Sequence, residues 1–212
     1  MNPIDPAALL AKGAGDLLGR SLSAREQDLL CDYLALLERW NKAYNLTAVR
    51  DPVEMVPRHV LDSLSILPWV PPGRLLDAGT GAGLPGVPLA ILKPDLEVTL
   101  LDSAGKKVRF LRQVKRELRL DNIEPLQARL EAHQAEVPYS AIVSRAFSSL
   151  ADFALSARHL LTPEVKLLAM KGRDRGSERL ALPGWIQVDS VEELVVPGLQ
   201  EQRHLVIMSL TQ

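Results

Sequence analysis

Apolar side chains in the first 70 residues recur at helical spacing. Leu29, Tyr33, Leu36, Leu37, Trp40 and Tyr44 stand three or four apart, so on a helix of 3.6 residues per turn they form one apolar face. Ser23-Ala24-Arg25-Glu26 ahead of them reads as a capping box, in which the serine hydroxyl and the glutamate satisfy free backbone donors at the helix start. Pro52 suits the first turn of a further helix running through Met55, Val56, His59, Val60 and Leu64. On this pattern Trp40 and Tyr44 are core rings. Asn41, Asn45 and Thr47 cap the long helix and organise the turn after it.

The texture changes at Val70-Pro71-Pro72-Gly73. Beyond it, short apolar runs at 74–78, 97–101, 123–126, 141–144 and 166–170 alternate with amphipathic segments starting near Leu84, Ala104 and Leu150, and a weaker one near Leu130. Such alternation predicts parallel strands joined by crossover helices, an α/β doubly wound, Rossmann-like sheet. The tail differs: 185–196 and 204–210 read as two strands around Pro197-Gly198 with no good helix between, so an antiparallel hairpin at the sheet edge is expected. The chain thus divides into a helical N-terminal extension, 1–70, and an α/β sheet domain, 71–212.

A chain of 212 residues buries enough surface to fold without a disulfide or metal staple. Its single cysteine, Cys31, rules out an internal disulfide and a multi-cysteine zinc site. His133, His159 and His204 show no metal-ligand spacing, so no metal is expected. The start, MNPIDPAALLAKGAGD, does not read as a secretory signal, and no apolar run suits a membrane span, so the expected location is the cytoplasm. A formal net charge of −1 means that any nucleic-acid surface must be a local patch.

The segment Leu75-Leu76-Asp77-Ala78-Gly79-Thr80-Gly81-Ala82-Gly83-Leu84-Pro85-Gly86 joins a predicted strand to a predicted helix. Ligands bind at such carboxyl edges of parallel sheets. Gly81-x-Gly83-x-x-Gly86 also satisfies the dinucleotide fingerprint, with Asp102 near the offset expected of a ribose-binding acid, so an NAD-linked oxidoreductase is the competing reading. Three features favour S-adenosylmethionine (SAM). Asp77 immediately precedes alternating glycines at 79, 81 and 83. Pro85 and Pro88 disrupt a helix N-terminus that would have to face a pyrophosphate. The strand follows some 70 residues of helix. Asp102, ending the second strand, either accepts hydrogen bonds from ribose hydroxyls or caps the next helix.

That next helix carries Lys106, Lys107, Arg109, Arg112, Lys115, Arg116 and Arg119, with Glu117 its one acid, around a stripe of Val108, Phe110, Leu111, Val114 and Leu118. In a near-neutral chain this is either a solvated face or a set of phosphate contacts. Beside a SAM site, RNA contact is the favoured reading, with a SAM-fold protein that binds RNA without catalysis and a small-molecule methyltransferase as alternatives.

These residues resemble the RsmG family of 16S ribosomal RNA guanine-N7 methyltransferases, also called glucose-inhibited division protein B. The resemblance rests on Trp40-Asn41-Lys42-Ala43-Tyr44-Asn45-Leu46-Thr47, Arg58-His59-Val60-Leu61-Asp62-Ser63, the run from Asp77 to Leu89, and Leu101-Asp102-Ser103 through Lys106-Lys107 to Phe110-Leu111. Ser144-Arg145-Ala146-Phe147 and Met170-Lys171-Gly172 complete it. Thr162-Pro163-Glu164-Val165 departs from it, standing where many relatives carry glycines. The resemblance implies methyl transfer from SAM to N7 of one guanosine in the decoding-region loop of 16S rRNA, with the rRNA or the small ribosomal subunit as partner. It implies that Gly79, Gly81 and Leu84 line the cofactor, that Leu130 and Glu131 hold its adenosine portion, and that Arg145 lies on the cofactor side. Guanine N7 carries a lone pair and no proton, so the transfer needs alignment and no general base. The sequence agrees by omission: it has no Asn/Asp-Pro-Pro-Tyr/Phe clamp for an exocyclic amine. Positioning then falls to Arg145, Arg58 and His59 around the target nucleotide, with Lys106, Arg109 and Lys171 on the RNA. The competing readings are an Arg145 ion pair with Asp77 or Glu131, an Arg58–Asp62 pair along one helix, and His59 as an interior histidine.

Overall fold

In the computed structural model, which describes residues 4–172 and 176–211, the apolar runs after Gly73 form β1 (Arg74–Ala78), β2 (Glu97–Asp102), β3 (Ile123–Gln127), β4 (Ala141–Ser144) and β5 (Lys166–Lys171). These five are parallel neighbours in the order β3-β2-β1-β4-β5. The edge beyond β5 is the expected antiparallel hairpin: β7 (His204–Leu210) pairs with β5, and β6 (Ile186–Glu193) pairs with β7. The strand order reverses between β1 and β4, which opens a crevice at their carboxyl ends.

Successive strand residues point to opposite faces, and the two cores follow from it. Leu75, Val98, Leu100, Ala141, Val143 and Leu168 belong to one buried cluster. Leu76, Leu101, Ile142, Leu167 and Ala169 belong to the other. The first is covered by α5 (Gly86–Leu92), α6 (Gly105–Leu118) and the N-terminal helices α1 (Pro6–Leu18) and α2 (Ala24–Tyr44), through Leu10, Leu30, Leu37, Val87, Phe110 and Val114. The second is covered by α7 (Leu150–Ala157) and a 3-10 turn at Leu130–Ala132, through Phe153, Ala154 and Leu130. A short α8 (Gly176–Leu180) precedes β6. No helix among the described residues is long and apolar enough to cross a membrane.

The capping box of α2 is present: the Ser23 hydroxyl accepts from the Glu26 amide, and the Ser23 amide donates to the Glu26 carboxylate at 2.7 Å. At the other end Asn45 adopts the left-handed conformation, φ 48°, and closes α2. Asn41 accepts the Thr47 amide at 2.9 Å and donates to the Val49 carbonyl at 3.0 Å, which organises the turn as expected.

Helix α1 is capped by Asp5 and ended by Gly19, φ 65°. Two expectations are corrected. The helix from Pro52 is not regular: α3 (Pro52–Met55) and α4 (Asp62–Leu64) flank a π segment, Val56–Leu61. Pro57 lies inside it and has no amide proton to continue the α ladder, so the chain widens. Tyr44 is not a core ring. It sits at the last turn of α2 with 39% of its surface exposed, stacked on the half-buried Trp40 at a centroid distance of 5.1 Å. Helix α2 runs past the apolar stripe of α6 there, so the outer ring meets the charged rim.

Candidate active site

The turn after β1 is shaped by its glycines. Gly79, Gly81 and Gly83 all have positive φ, 69°, 61° and 94°, which side chains with a Cβ rarely adopt. A Cβ on Gly86 would lie 2.3 Å from Leu100 Cδ2 and 2.8 Å from Asp77 Oδ2, so the fourth glycine serves close packing. Asp77 is fully buried and holds the turn from within. Its Oδ2 accepts the Thr80 hydroxyl at 2.6 Å and the Gly86 amide at 2.8 Å. Burial pushes its carboxyl up to about 6, against the opposing hydrogen bonds from Thr80 and Gly86. The first amide of α5 therefore points at Asp77, where a dinucleotide fingerprint would aim it at a pyrophosphate.

Over this turn lies a cleft of about 290 Å³ lined by Gly79, Asp102, Lys107, Leu130, Glu131, Ala146 and Phe147, among others. It collects the carboxyl ends of β1, β2 and β4 and the turn after β3. Asp102 does not cap α6, whose N-cap is Ala104 without a side-chain cap bond. Its Oδ1 accepts the Ala104 amide at 2.9 Å just ahead of that helix, while Oδ2 accepts the Gly81 amide at 2.9 Å and pairs with Lys107 Nζ at 3.2 Å along the cleft. Glu131 is exposed there and accepts the Ser156 hydroxyl at 2.7 Å, and its own backbone amide together with that bond holds its carboxyl below the usual range. Phe147 stacks on Phe153 at 5.1 Å and gives the cleft an aromatic wall.

A second recess of about 260 Å³ is lined by Asp62, Arg145, Met170, Lys171, Gly172, Leu194, Arg203 and His204. The three residues after β4 separate the two spaces: Arg145 lines the second recess, and Ala146 and Phe147 line the first cleft. Arg145 pairs with neither Asp77 nor Glu131. Its Nη1 lies 3.1 Å from Asp62 Oδ2, and its Nη2 donates to the Arg58 carbonyl at 3.3 Å. Asp62 is 2% exposed and also receives Arg203 Nε at 3.2 Å; burial raises its carboxyl while the two arginines pull it down. Lys171 Nζ donates to the Ser148 carbonyl at 2.9 Å and pairs with Glu178.

The predicted residues therefore fall in four groups. Gly79, Asp102, Leu130 and Glu131 line the first cleft, with Gly81 bound to Asp102 beneath it; Arg145 and Lys171 line the second recess. Lys106 and Arg109 lie on the exposed face of α6. Leu84, Arg58 and His59 line neither space. Leu84 is buried in the first core cluster, because the turn folds it under the glycines. Arg58 does not pair with Asp62, since a π turn displaces residues four apart; it meets Glu201 at 2.8 Å. His59 is 5% exposed, with Nε2 sharing a hydrogen bond with Thr47 Oγ1 at 2.9 Å, and burial lowers its imidazole to about 4. Sequence reasoning missed Lys107, Phe147, Asp62 and Arg203 as site residues. The first three stand in quoted motifs, but Arg203 lies in no motif and reaches Asp62 only through the β7 register. Among the described residues no group of three or more histidine, cysteine or acidic side chains is placed to hold a metal ion.

Against known proteins, a family model described as GidB, rRNA small subunit methyltransferase G, matches residues 26–206. The ribosomal RNA small subunit methyltransferase G of Pseudomonas aeruginosa (strain UCBPP-PA14) is 58% identical over 203 residues, 95% of this chain and 94% of that protein. Its counterpart from Pseudomonas fluorescens (strain Pf0-1) is 54% identical over 194 residues, 92% of this chain and 91% of that protein. Among solved structures, TrmN from Thermus thermophilus matches with a TM-score of 0.55 at 20% identity, covering 82% of this chain and 53% of that one. A SAM-dependent methyltransferase from Aquifex aeolicus matches with 0.55 at 18% identity, covering 74% and 93%. At these identities the structural matches establish the fold.

Proposed function

Since the chain belongs to the GidB family of rRNA small subunit methyltransferases G, we propose that it transfers the methyl group of SAM to N7 of one guanosine in the decoding-region loop of 16S rRNA. The observation that carries this reading is the pair of spaces divided by Arg145-Ala146-Phe147, the first lined by Asp102, Leu130 and Phe147 and the second by Arg145, Lys171 and Arg203.

The residues present fit SAM. Gly79 leaves the cleft floor open, and a Cβ there would meet the Ala146 methyl at 2.7 Å. Asp102 offers carboxylate lone pairs to ribose hydroxyls, and Leu130 and Phe147 offer apolar walls to an adenine ring. Glu131 supplies an acceptor at the rim. When bound, SAM supplies an electrophilic sulfonium methyl. The chain's own task is alignment: N7 is already a nucleophile, so no side chain has to remove a proton, and holding the partners in line is the main source of rate. Arg145 and Lys171 carry the charges that orient the guanosine and its phosphates, with Asp62 and Arg203 fixing the Arg145 fork. Arg58 and His59 support this wall from behind, through the Arg58 carbonyl and the Thr47–His59 contact. The first 70 residues form a covering layer for the cofactor domain 71–212, and the protein acts on rRNA in the cytoplasm.

The test is incubation with methyl-labelled SAM and small ribosomal subunits from cells that lack the modification. Label is expected in 16S rRNA, at a guanosine whose methylated base is chemically cleavable as N7-methylguanine. Measurable SAM binding with no label in subunits or naked rRNA would discard the ribosomal substrate.

A further inference from the structure

Tyr44 is a partly exposed aromatic ring with basic side chains beside it. One face stacks on Trp40, which in turn packs on Phe110 of α6 at 5.7 Å. Lys106 Nζ donates to the Tyr44 carbonyl at 2.9 Å, and the Arg109 guanidinium lies over the ring, 6.0 Å from its centroid. The left-handed Asn45 next to it accepts from Arg50 at 3.2 Å, bringing a third cation to the turn. A ring that served only the core would be covered. This one is braced by Trp40 and left partly exposed, with the Arg109 guanidinium over it. A base that stacks on the ring takes the place of Arg109, which is then free to meet a phosphate.

The platform is also tied to the active site. Lys107, adjacent to the Lys106 that holds Tyr44, pairs with Asp102 in the SAM cleft. Thr47, three residues after Tyr44, contacts His59, whose neighbour Arg58 holds Arg145 by its carbonyl. Stacking on an aromatic face and pairing of nearby cations with phosphates is how single-stranded RNA is held without sequence readout.

We propose that Tyr44, with Lys106 and Arg109, is a docking platform for an unpaired nucleotide of the rRNA substrate outside the one that is methylated. The proposal rests on the rRNA methyltransferase reading. Tyr44 is a positioning residue, and its loss acts on substrate affinity. In transfer assays on unmodified small subunits, Tyr44→Leu should raise KM for the subunit by about 5-fold to about 150-fold, the range that base–aromatic stacking represents. Its kcat, SAM affinity and melting temperature should stay near wild type, and Tyr44→Phe should restore KM. Equal KM for Tyr44→Leu and wild type would overturn the platform, as would equal losses in the Leu and Phe variants. Should the Leu variant fail to fold, the wild-type protein carrying 3-fluorotyrosine decides by fluorine NMR. A short single-stranded RNA should move the Tyr44 signal and leave those of buried Tyr33 and Tyr139 in place. RNA binding to saturation with the Tyr44 signal unmoved would overturn it. Absence of methyl transfer by the wild-type enzyme would instead strike the parent reading, which the NMR shift does not depend on.

Discussion

Single residues in this site carry a chemistry that their neighbours set. His59 was a candidate around the target nucleotide, and its motif made that reading natural, but the ring is buried against Thr47 with Arg145 and Arg58 nearby. Only packing could reveal that, since a histidine on an apolar helix face is compatible with either role. The consequence is a stability effect with a definite sign. Between about 4 and the ordinary 6.5 the unfolded chain takes up a proton that folded His59 refuses, so this group's contribution is lost as pH falls through that window. Asp77 acts the other way, because its folded carboxyl titrates at about 6 against 3.8 and gains stability as pH falls. The comparison of wild type with His59→Gln isolates the first effect. By urea unfolding, the wild type's advantage should shrink by roughly 2 to 3 kcal/mol between pH 7 and pH 4.5. Parallel pH profiles for the two proteins would show that His59 titrates normally when folded.

At the scale of elements, α6 has one apolar and one basic face. Val108, Phe110, Leu111 and Val114 are buried against the sheet and α2, while Lys106, Arg109, Arg112 and Arg116 face outward. The alternation was legible in the sequence because helical periodicity sorts residues by face. Less legible was that the basic residues are not equivalent. Lys115 is half-buried and donates to the Ile123 carbonyl at 2.6 Å, tying α6 to β3. Replacing Lys106 or Arg109 by Gln should reduce the slope of log affinity for rRNA against log salt concentration by about 1 each. Lys115→Gln should lower the melting temperature and leave that slope unchanged. Salt titrations of RNA binding on the three variants check this, and an unchanged slope for all would remove α6 from the RNA surface.

Across the whole molecule, the N-terminal helices are tied to the glycine turn by a buried hydrogen bond. Tyr33 on α2 is fully buried, and its hydroxyl donates to the Ala82 carbonyl at 2.8 Å, in the glycine turn 49 residues away. Tyr33→Phe strands that buried carbonyl, at a cost of about 1–3 kcal/mol, and it should also weaken SAM binding because the turn loses its outer brace. Denaturant unfolding and calorimetric SAM titration measure the two effects. A variant that loses stability but binds SAM as tightly as wild type would separate the covering layer from the site.

The sequence by itself determined the strand positions, the hairpin at the sheet edge, the glycine turn and the acid ending β2, because alternation, turn residues and conformational freedom are local properties of the chain. It also carried the family, whose motifs run in order along most of the length. Only the tertiary structure decided which charges meet. Asp62 binds Arg145 and Arg203 across 83 and 141 positions of chain, Pro57 turned a regular helix into a π segment that broke the Arg58–Asp62 spacing, and the last turn of α2 overran its core and left Tyr44 at the surface. Each of these depends on where separate elements come to lie beside one another, and spacing along a single element contains no record of that.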